Sequence, residues 1–119
     1  MFYFENLEVD RNAVELAEDV IKLTKRFLPD FRFLKDQLRR AATSICLNIA
    51  EGNGKFHQKE RNQYFVVARS SCCECVPIVE LCVRNNLIRT GSGAELRETL
   101  GEIFAMLHGL IRRRKQKGE

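Results

Sequence analysis

No stretch of this 119-residue chain is apolar for anything near the ~20 residues that a membrane-spanning helix needs. Residues 1–10, MFYFENLEVD, lack the basic segment followed by an apolar one that marks a secretory leader. The expected location is therefore the cytoplasm, with no membrane partner. No segment alternates apolar and polar residues with a period of two, which argues against a sheet-built fold. Internal repeats and low-complexity linkers are also missing, so the chain reads as one domain, long enough to bury a core without staples.

Catalytic groups are equally scarce. The two histidines are His57 and His108, and neither follows a glutamate at the Glu-x-x-His spacing. A di-iron bundle needs two such motifs and about four carboxylates, so Glu51 and Glu74 do not make one. No nucleophile, base and orienting group form a recognisable set. Gly52-Asn53-Gly54-Lys55 lacks the preceding strand of a phosphate-binding loop, and no Lys-Ser or Lys-Thr completes it. The expectation is a protein that is not an enzyme and holds no cofactor. Five cysteines, an odd number crowded into helical sequence, do not resemble a secreted disulfide framework. Cys72-x-x-Cys75 is half a zinc site that Cys46 or Cys82 could complete. Cys46, Cys72, Cys75 and Cys82 nevertheless lie on or beside apolar stripes, where a free thiol behaves as a small hydrophobe, and only Cys73 falls off the stripe. Core packing without metal is expected.

What the chain does contain is helical periodicity. Val9, Ala13, Leu16, Ala17, Val20, Leu23 and Phe27 recur at three- and four-residue steps, predicting a first helix over 7–28 that Pro29-Asp30 breaks. Leu38, Ala41, Ala42, Ile45 and Ile49 predict a second over 32–51, ended by Gly52-Asn53-Gly54 as a glycine C-cap. Phe65, Ala68, Cys72, Cys75, Val79 and Cys82 predict a third from His57 or Gln58, kinked but not stopped by Pro77. A turn region follows over 85–93. Leu96, Leu100, Ile103, Met106 or Leu107, Leu110 and Ile111 carry the fourth helix. The predicted fold is all-α: an up-down-up-down antiparallel four-helix bundle over 1–111, with a basic C-terminal tail over 112–119.

The net charge of +4 is unevenly spread. Residues 112–119 alone carry +4, residues 25–69 carry +6, and 1–24 and 70–111 carry −4 and −2. Arg39, Arg40, Lys55, Lys59, Arg61 and Arg69 lie around the second and third helices, and Arg112, Arg113, Arg114, Lys115 and Lys117 form the tail. Localised basic patches suit contact with a polyanion, although a solvated charged face is the ordinary alternative. Phe56, Tyr64 and Phe65 are the only rings near them, so base stacking is limited and sequence-specific readout is not indicated.

Beside the apolar stripe of the second helix runs a polar ladder: Gln37, Arg40, Ser44, Asn48 and Glu51 share one face at 100° per residue. Ser71 and Glu74 in the third helix are spaced to meet it. The ladder is either a buried network fixing the register or a recognition surface. As a network of Gln37, Ser44, Asn48, Glu51, Ser71 and Glu74, it would lose about 1–3 kcal/mol on removal of Asn48 or Glu51. Arg39 and Arg40 would then face outward.

Gln37-Leu38-x-Arg40-Ala41-Ala42-x-Ser44-Ile45-x-x-Asn48-Ile49-Ala50-Glu51-Gly52, followed by Ala68-x-x-Ser71-x-x-Glu74, closely resembles the 23S rRNA intervening-sequence protein family of four-helix bundles. The likeness extends to residues 7–13 and to Met106-Leu107…Leu110-Ile111. Cys72 and Cys75 stand where that family usually has leucines, and Pro77 and the more basic tail also depart from it. The resemblance implies a homopentameric barrel of bundles with no known enzymatic activity. It is similar in architecture to the accessory variability protein of diversity-generating retroelements, which is basic and partners a reverse transcriptase and its template RNA. The expected function is a non-enzymatic oligomeric adaptor binding RNA or DNA through phosphates, accessory to a reverse transcriptase or another ribonucleoprotein. The alternative is a purely structural or protein-interaction bundle with no nucleic-acid binding.

Overall fold

Four helices account for nearly all of the chain. The computed structural model describes the backbone of residues 4–118 and the side chains of residues 7–111. The helices are α1 (Phe4–Thr24), α2 (Arg32–Asn53), α3 (Gln58–Arg84) and α4 (Thr90–Gly118), with a 3-10 turn at Pro29–Phe31 and, among the described residues, no strand. α1 packs on α2, α2 on α3 and α3 on α4, and α1 closes the ring against α4. The result is a rod of 49 × 21 × 19 Å. Among the described residues no helix is long and apolar enough to cross a membrane.

The predicted stripes are the core. Val9, Ala13, Leu16 and Val20 of α1 are buried, as are Leu38, Ala41, Ala42, Ile45 and Ile49 of α2. All six α3 stripe residues are buried, and in α4 Leu107 takes the core position while Met106 packs at its margin. Steps of three and four residues keep each set on one face, so four faces meet along one axis. Each fully buried Leu, Ile or Phe contributes roughly 1.5–3 kcal/mol.

The helix ends depart from the sequence reading. α1 stops at Thr24, not near residue 28. Pro29 forces Leu28 into an extended conformation (ψ 151°), which a helix cannot accommodate. The early end is also capped from outside: Arg39 Nε donates to Thr24 Oγ1 at 2.8 Å and its Nη2 to the Ile21 carbonyl at 3.1 Å. The glycine end of α2 is not left-handed either, since Gly54 has φ −83°. The left-handed cap belongs to α3, where Asn86 has φ 60°. Leu87 N–H donates to the Cys82 carbonyl (2.9 Å) and Asn86 N–H to that of Val83 (3.0 Å), closing a Schellman turn. α4 begins at Thr90, so Gly91, Ser92 and Gly93 are helical and not part of the turn. Gly93 is packed so closely on the end of α3 that a Cβ would lie 2.5 Å from Val83 Cγ2. That contact overrides the poor helix propensity of the two glycines. α3 runs through Pro77 without stopping. The proline is on the exposed side, where water can satisfy the carbonyl its ring leaves without a partner.

Candidate nucleic-acid interface and the polar seam

The polar ladder becomes a half-exposed seam between α2 and α3. Arg40 pairs with Glu74 across the two helices and also donates to Gln37 Oε1 at 2.8 Å. The hydroxyls of Ser44 and Ser71 share a hydrogen bond of 2.9 Å, and Ser71 is buried. Asn48 Nδ2 donates to the Ser44 carbonyl (2.8 Å) and reaches its Oγ (3.1 Å). Five of the six expected network residues are therefore brought together, with Arg40 as the link between Gln37 and Glu74. Glu51 is not among them. It is exposed and pairs with Lys55 one turn on, at 3.6 Å. The ladder face rotates out of the seam where α2 approaches its end. Asn48→Ala should lower stability by about 1 kcal/mol, whereas Glu51→Ala should stay within about 0.5 kcal/mol of wild type. Parallel urea melts of the two variants check this, and equal losses would return Glu51 to the seam.

The basic residues separate into two groups. Arg39 does not face outward: it is half-buried, with its guanidinium turned onto the carbonyl end of α1, where the helix dipole is negative. Arg40 is exposed but held by Glu74. Both border an open groove shared with Thr43, Ser44, Leu47 and Asn48. They lie about 20 Å along the axis of α2 from its end.

The second group clusters at the α2/α3 corner. Gly54 N–H donates to the carbonyls of Ala50 and Glu51, and Lys55 N–H to that of Gly52, each at 3.1 Å. Arg61 Nε donates to the Lys55 carbonyl at 2.7 Å, and Arg61 N–H to the His57 carbonyl at 3.0 Å, so the first turn of α3 clamps the corner. Lys55 Nζ sits 5.4 Å over the Tyr64 ring. Lys59 is exposed on the first turn of α3. Farther along, Arg69 Nη1 is 2.8 Å from His108 Nδ1, and its guanidinium lies 6.0 Å from the Phe104 ring. Phe104 and His108, one turn apart in α4, stack with their planes 6° apart. In sequence His108 stands out only as one of two histidines, neither at metal-ligand spacing. Its i, i+4 spacing from Phe104 was the available signal for this ring pair. Arg112, Arg113, Arg114, Lys115 and Lys117 lie outside the residues whose side chains are described, though the α4 backbone continues to Gly118.

The model of the 23S rRNA-intervening sequence protein family matches residues 5–109. The chain belongs to that family. Among solved structures, this intervening-sequence protein is similar to a protein of unknown function from the S23 ribosomal protein family of Bacteroides thetaiotaomicron. The likeness has a TM-score of 0.84 at 21% identity and covers 92% of this chain and 99% of the other. At that identity it speaks for the fold. No functionally curated protein matches the chain.

The cysteines of this intervening-sequence protein sort as their stripe positions require. Cys72, Cys75 and Cys82 are buried, Cys46 is half-buried and Cys73 is exposed. Among the described residues no three His, Cys, Asp or Glu side chains are grouped to hold a metal ion. Burial pushes the thiols of Cys72 and Cys75 up to about 12 and that of Cys82 to about 11, from an ordinary 9.0. As free thiols these groups are poor nucleophiles, since that role needs the thiolate. Well below pH 9 all three are protonated whether the chain is folded or not. From pH 9 toward 12 the unfolded chain releases protons that the folded one retains, so stability should fall across that window. Urea midpoints at pH 8 and pH 10 measure the fall. It should be smaller in Cys72→Ala/Cys75→Ala, and an unchanged fall would mean that other groups cause it.

Proposed function

We propose that this intervening-sequence protein is a non-enzymatic oligomeric adaptor that holds RNA or DNA by its phosphates at one end of the bundle. The observation that supports the reading is the antiparallel course of α3 and α4, which directs one basic stretch toward another far from it in sequence. One is the α2/α3 corner with Lys55, Lys59 and Arg61. The other is the end of α4, whose sequence carries Arg112, Arg113, Arg114, Lys115 and Lys117. Glu80 bonds to Arg97 and Arg69 to His108, so α4 travels back along α3 toward the corner. Its backbone continues ten residues past His108. Together with the Arg40–Glu74 and Ser44–Ser71 pairs, these contacts support an up-down-up-down course. Residues 1–111 then form the bundle and 112–119 the basic tail.

Leu7, Val14 and Ile21 lie on α1 at seven-residue spacing and are 45%, 51% and 41% exposed. A heptad line of this kind supports packing between copies, in keeping with a homopentamer. Five protomers would gather five basic ends, and weak single contacts would add by avidity. An adaptor of this kind, placed in the cytoplasm, would serve a reverse transcriptase of a diversity-generating retroelement, or another ribonucleoprotein, by holding its RNA. The test is filter binding of structured RNA over a range of salt. Affinity should fall steeply as salt rises and vary little with sequence. An absence of binding at moderate salt sinks the reading.

A second reading, a structural or protein-interaction bundle that binds no nucleic acid, draws on a different observation. Arg39 and Arg40 are engaged inside the chain, and the exposed apolar line on α1 would then be the functional surface.

A further inference from the structure

The most exposed large apolar side chain among the described residues is Phe56, at 90%. It lies at the centre of the α2/α3 corner, and that corner is not slack. The hydrogen bonds from Gly54, Lys55 and Arg61 tie the backbone on both sides of it. His57 contacts the ring perpendicularly, with centroids 5.4 Å apart and planes at 81°. A phenylalanine on a loose turn would fold back onto the neighbouring apolar surface. This one stands in water on a turn whose backbone is fixed on either side of it.

We propose that Phe56 is the stacking ring for an unpaired base of single-stranded nucleic acid, whose flanking phosphates are met by Lys55 and Lys59. The inference rests on the phosphate-binding reading above and names the strand and the residue that engages its bases. Aromatic faces accept any of the four bases, so the contact carries little sequence preference. A duplex closes its base faces within the stack, so it offers such a ring nothing. The charge around the ring selects the same occupant. Lys55, Lys59 and Arg61 lie within five residues of it along the chain, against Glu60 and against Glu51, which pairs with Lys55. An apolar pocket on another protein would have to take those cations out of water with the ring. A single strand meets the ring with a base and the cations with its phosphates. Arg61 acts here as a positioning residue, since its Nε holds the Lys55 carbonyl.

The test uses the full chain, an oligo(U) RNA of about 15 nucleotides and an RNA duplex of similar length, spanning the usual single-strand site sizes. Phe56→Ala removes an exposed side chain and should leave the melt unchanged. It should weaken oligo(U) binding about tenfold and leave duplex binding and oligomeric mass as they are, while Phe56→Tyr retains wild-type affinity. The chain has no tryptophan, so Phe56→Trp supplies a single reporter. Its fluorescence should be quenched by oligo(U) and not by the duplex. Equal oligo(U) affinity in wild type and Phe56→Ala overturns the stacking role and leaves the phosphate reading standing. A changed oligomeric mass in Phe56→Ala overturns it too, by assigning the ring to contact between copies. If wild-type protein binds neither RNA, the phosphate reading fails and the stacking role with it.

Discussion

Gly52→Ala is expected to destabilise the bundle, although alanine is the better helix former. A Cβ at Gly52 would lie 2.6 Å from Phe65 Cε1 and 2.9 Å from its Cδ1, with Tyr64 Cβ at 3.2 Å. Phe65 is fully buried and cannot swing aside. α2 and α3 would have to separate where Gly52 meets Phe65, at a cost of about 2–3 kcal/mol. Against this stands a propensity gain of about 1 kcal/mol. The net loss should be about 1–2 kcal/mol for alanine, and for Gly52→Val, which adds two methyls and no such gain, above about 3 kcal/mol. Gly101→Ala and Gly109→Ala are the controls. Nothing lies within 4 Å of a Cβ at either position, so each should stabilise by up to about 1 kcal/mol. Pairing Gly52→Ala with Phe65→Leu should recover part of the loss, a favourable coupling of roughly 1 kcal/mol. Purely additive melts would mean that the two side chains do not meet.

For the oligomeric adaptor proposed above, removal of residues 112–119 should abolish most nucleic-acid binding while leaving the proposed oligomer intact. The segment carries the five cations Arg112, Arg113, Arg114, Lys115 and Lys117. Among the residues whose side chains are described, the last buried ones of α4 are Leu110 and Ile111, and the truncated chain keeps both. If each cation meets one phosphate, the slope of log K against log salt should become shallower by about 3.5–4.5. Affinity at low salt should drop by roughly 100-fold or more. Sedimentation of the truncated chain should return the wild-type oligomeric mass. Retained binding with an unchanged slope would confine the contact to the corner. Loss of the oligomer together with binding would recast the tail as an assembly element.

The two predictions address different levels of the molecule. Gly52 sits in the Asn48-Ile49-Ala50-Glu51-Gly52 run that carries the family likeness, where the sequence reading took the glycine to end a helix. In the structure Gly52 is inside the last turn of α2 and is needed for close approach to α3. Glycine is ambiguous in sequence because it satisfies both demands, and only the partner helix tells them apart. The same ambiguity misplaced the start of α4: Gly91 and Gly93 resemble a turn until Val83 is set against Gly93. Arg39 presents a similar case. Nothing within α2 announces that its guanidinium caps α1, because the Thr24 hydroxyl and Ile21 carbonyl it meets belong to a helix that ends fifteen residues earlier.

The amphipathic period was legible residue by residue. The six stripe positions of α3 and the five of α2 are all buried, since a 3.6-residue repeat is a local property of the chain. The reach of Ser71 and Glu74 to the ladder was legible from spacing alone, and so was the burial of Cys72, Cys75 and Cys82. The all-helical class, the number of helices, the inward faces and the uneven charge were therefore determined by the sequence itself. Tertiary structure decided which polar groups face a partner, which glycine is a contact, and which cations remain outside. It withdrew Glu51 from the seam, turned Arg39 onto the end of α1, held the exposed Arg40 to Glu74, and left Phe56 standing in solvent at the basic corner. The physical reason is one of range. Periodicity and propensity act within a turn or two of helix, whereas packing distance and ion pairing depend on what a second helix brings alongside.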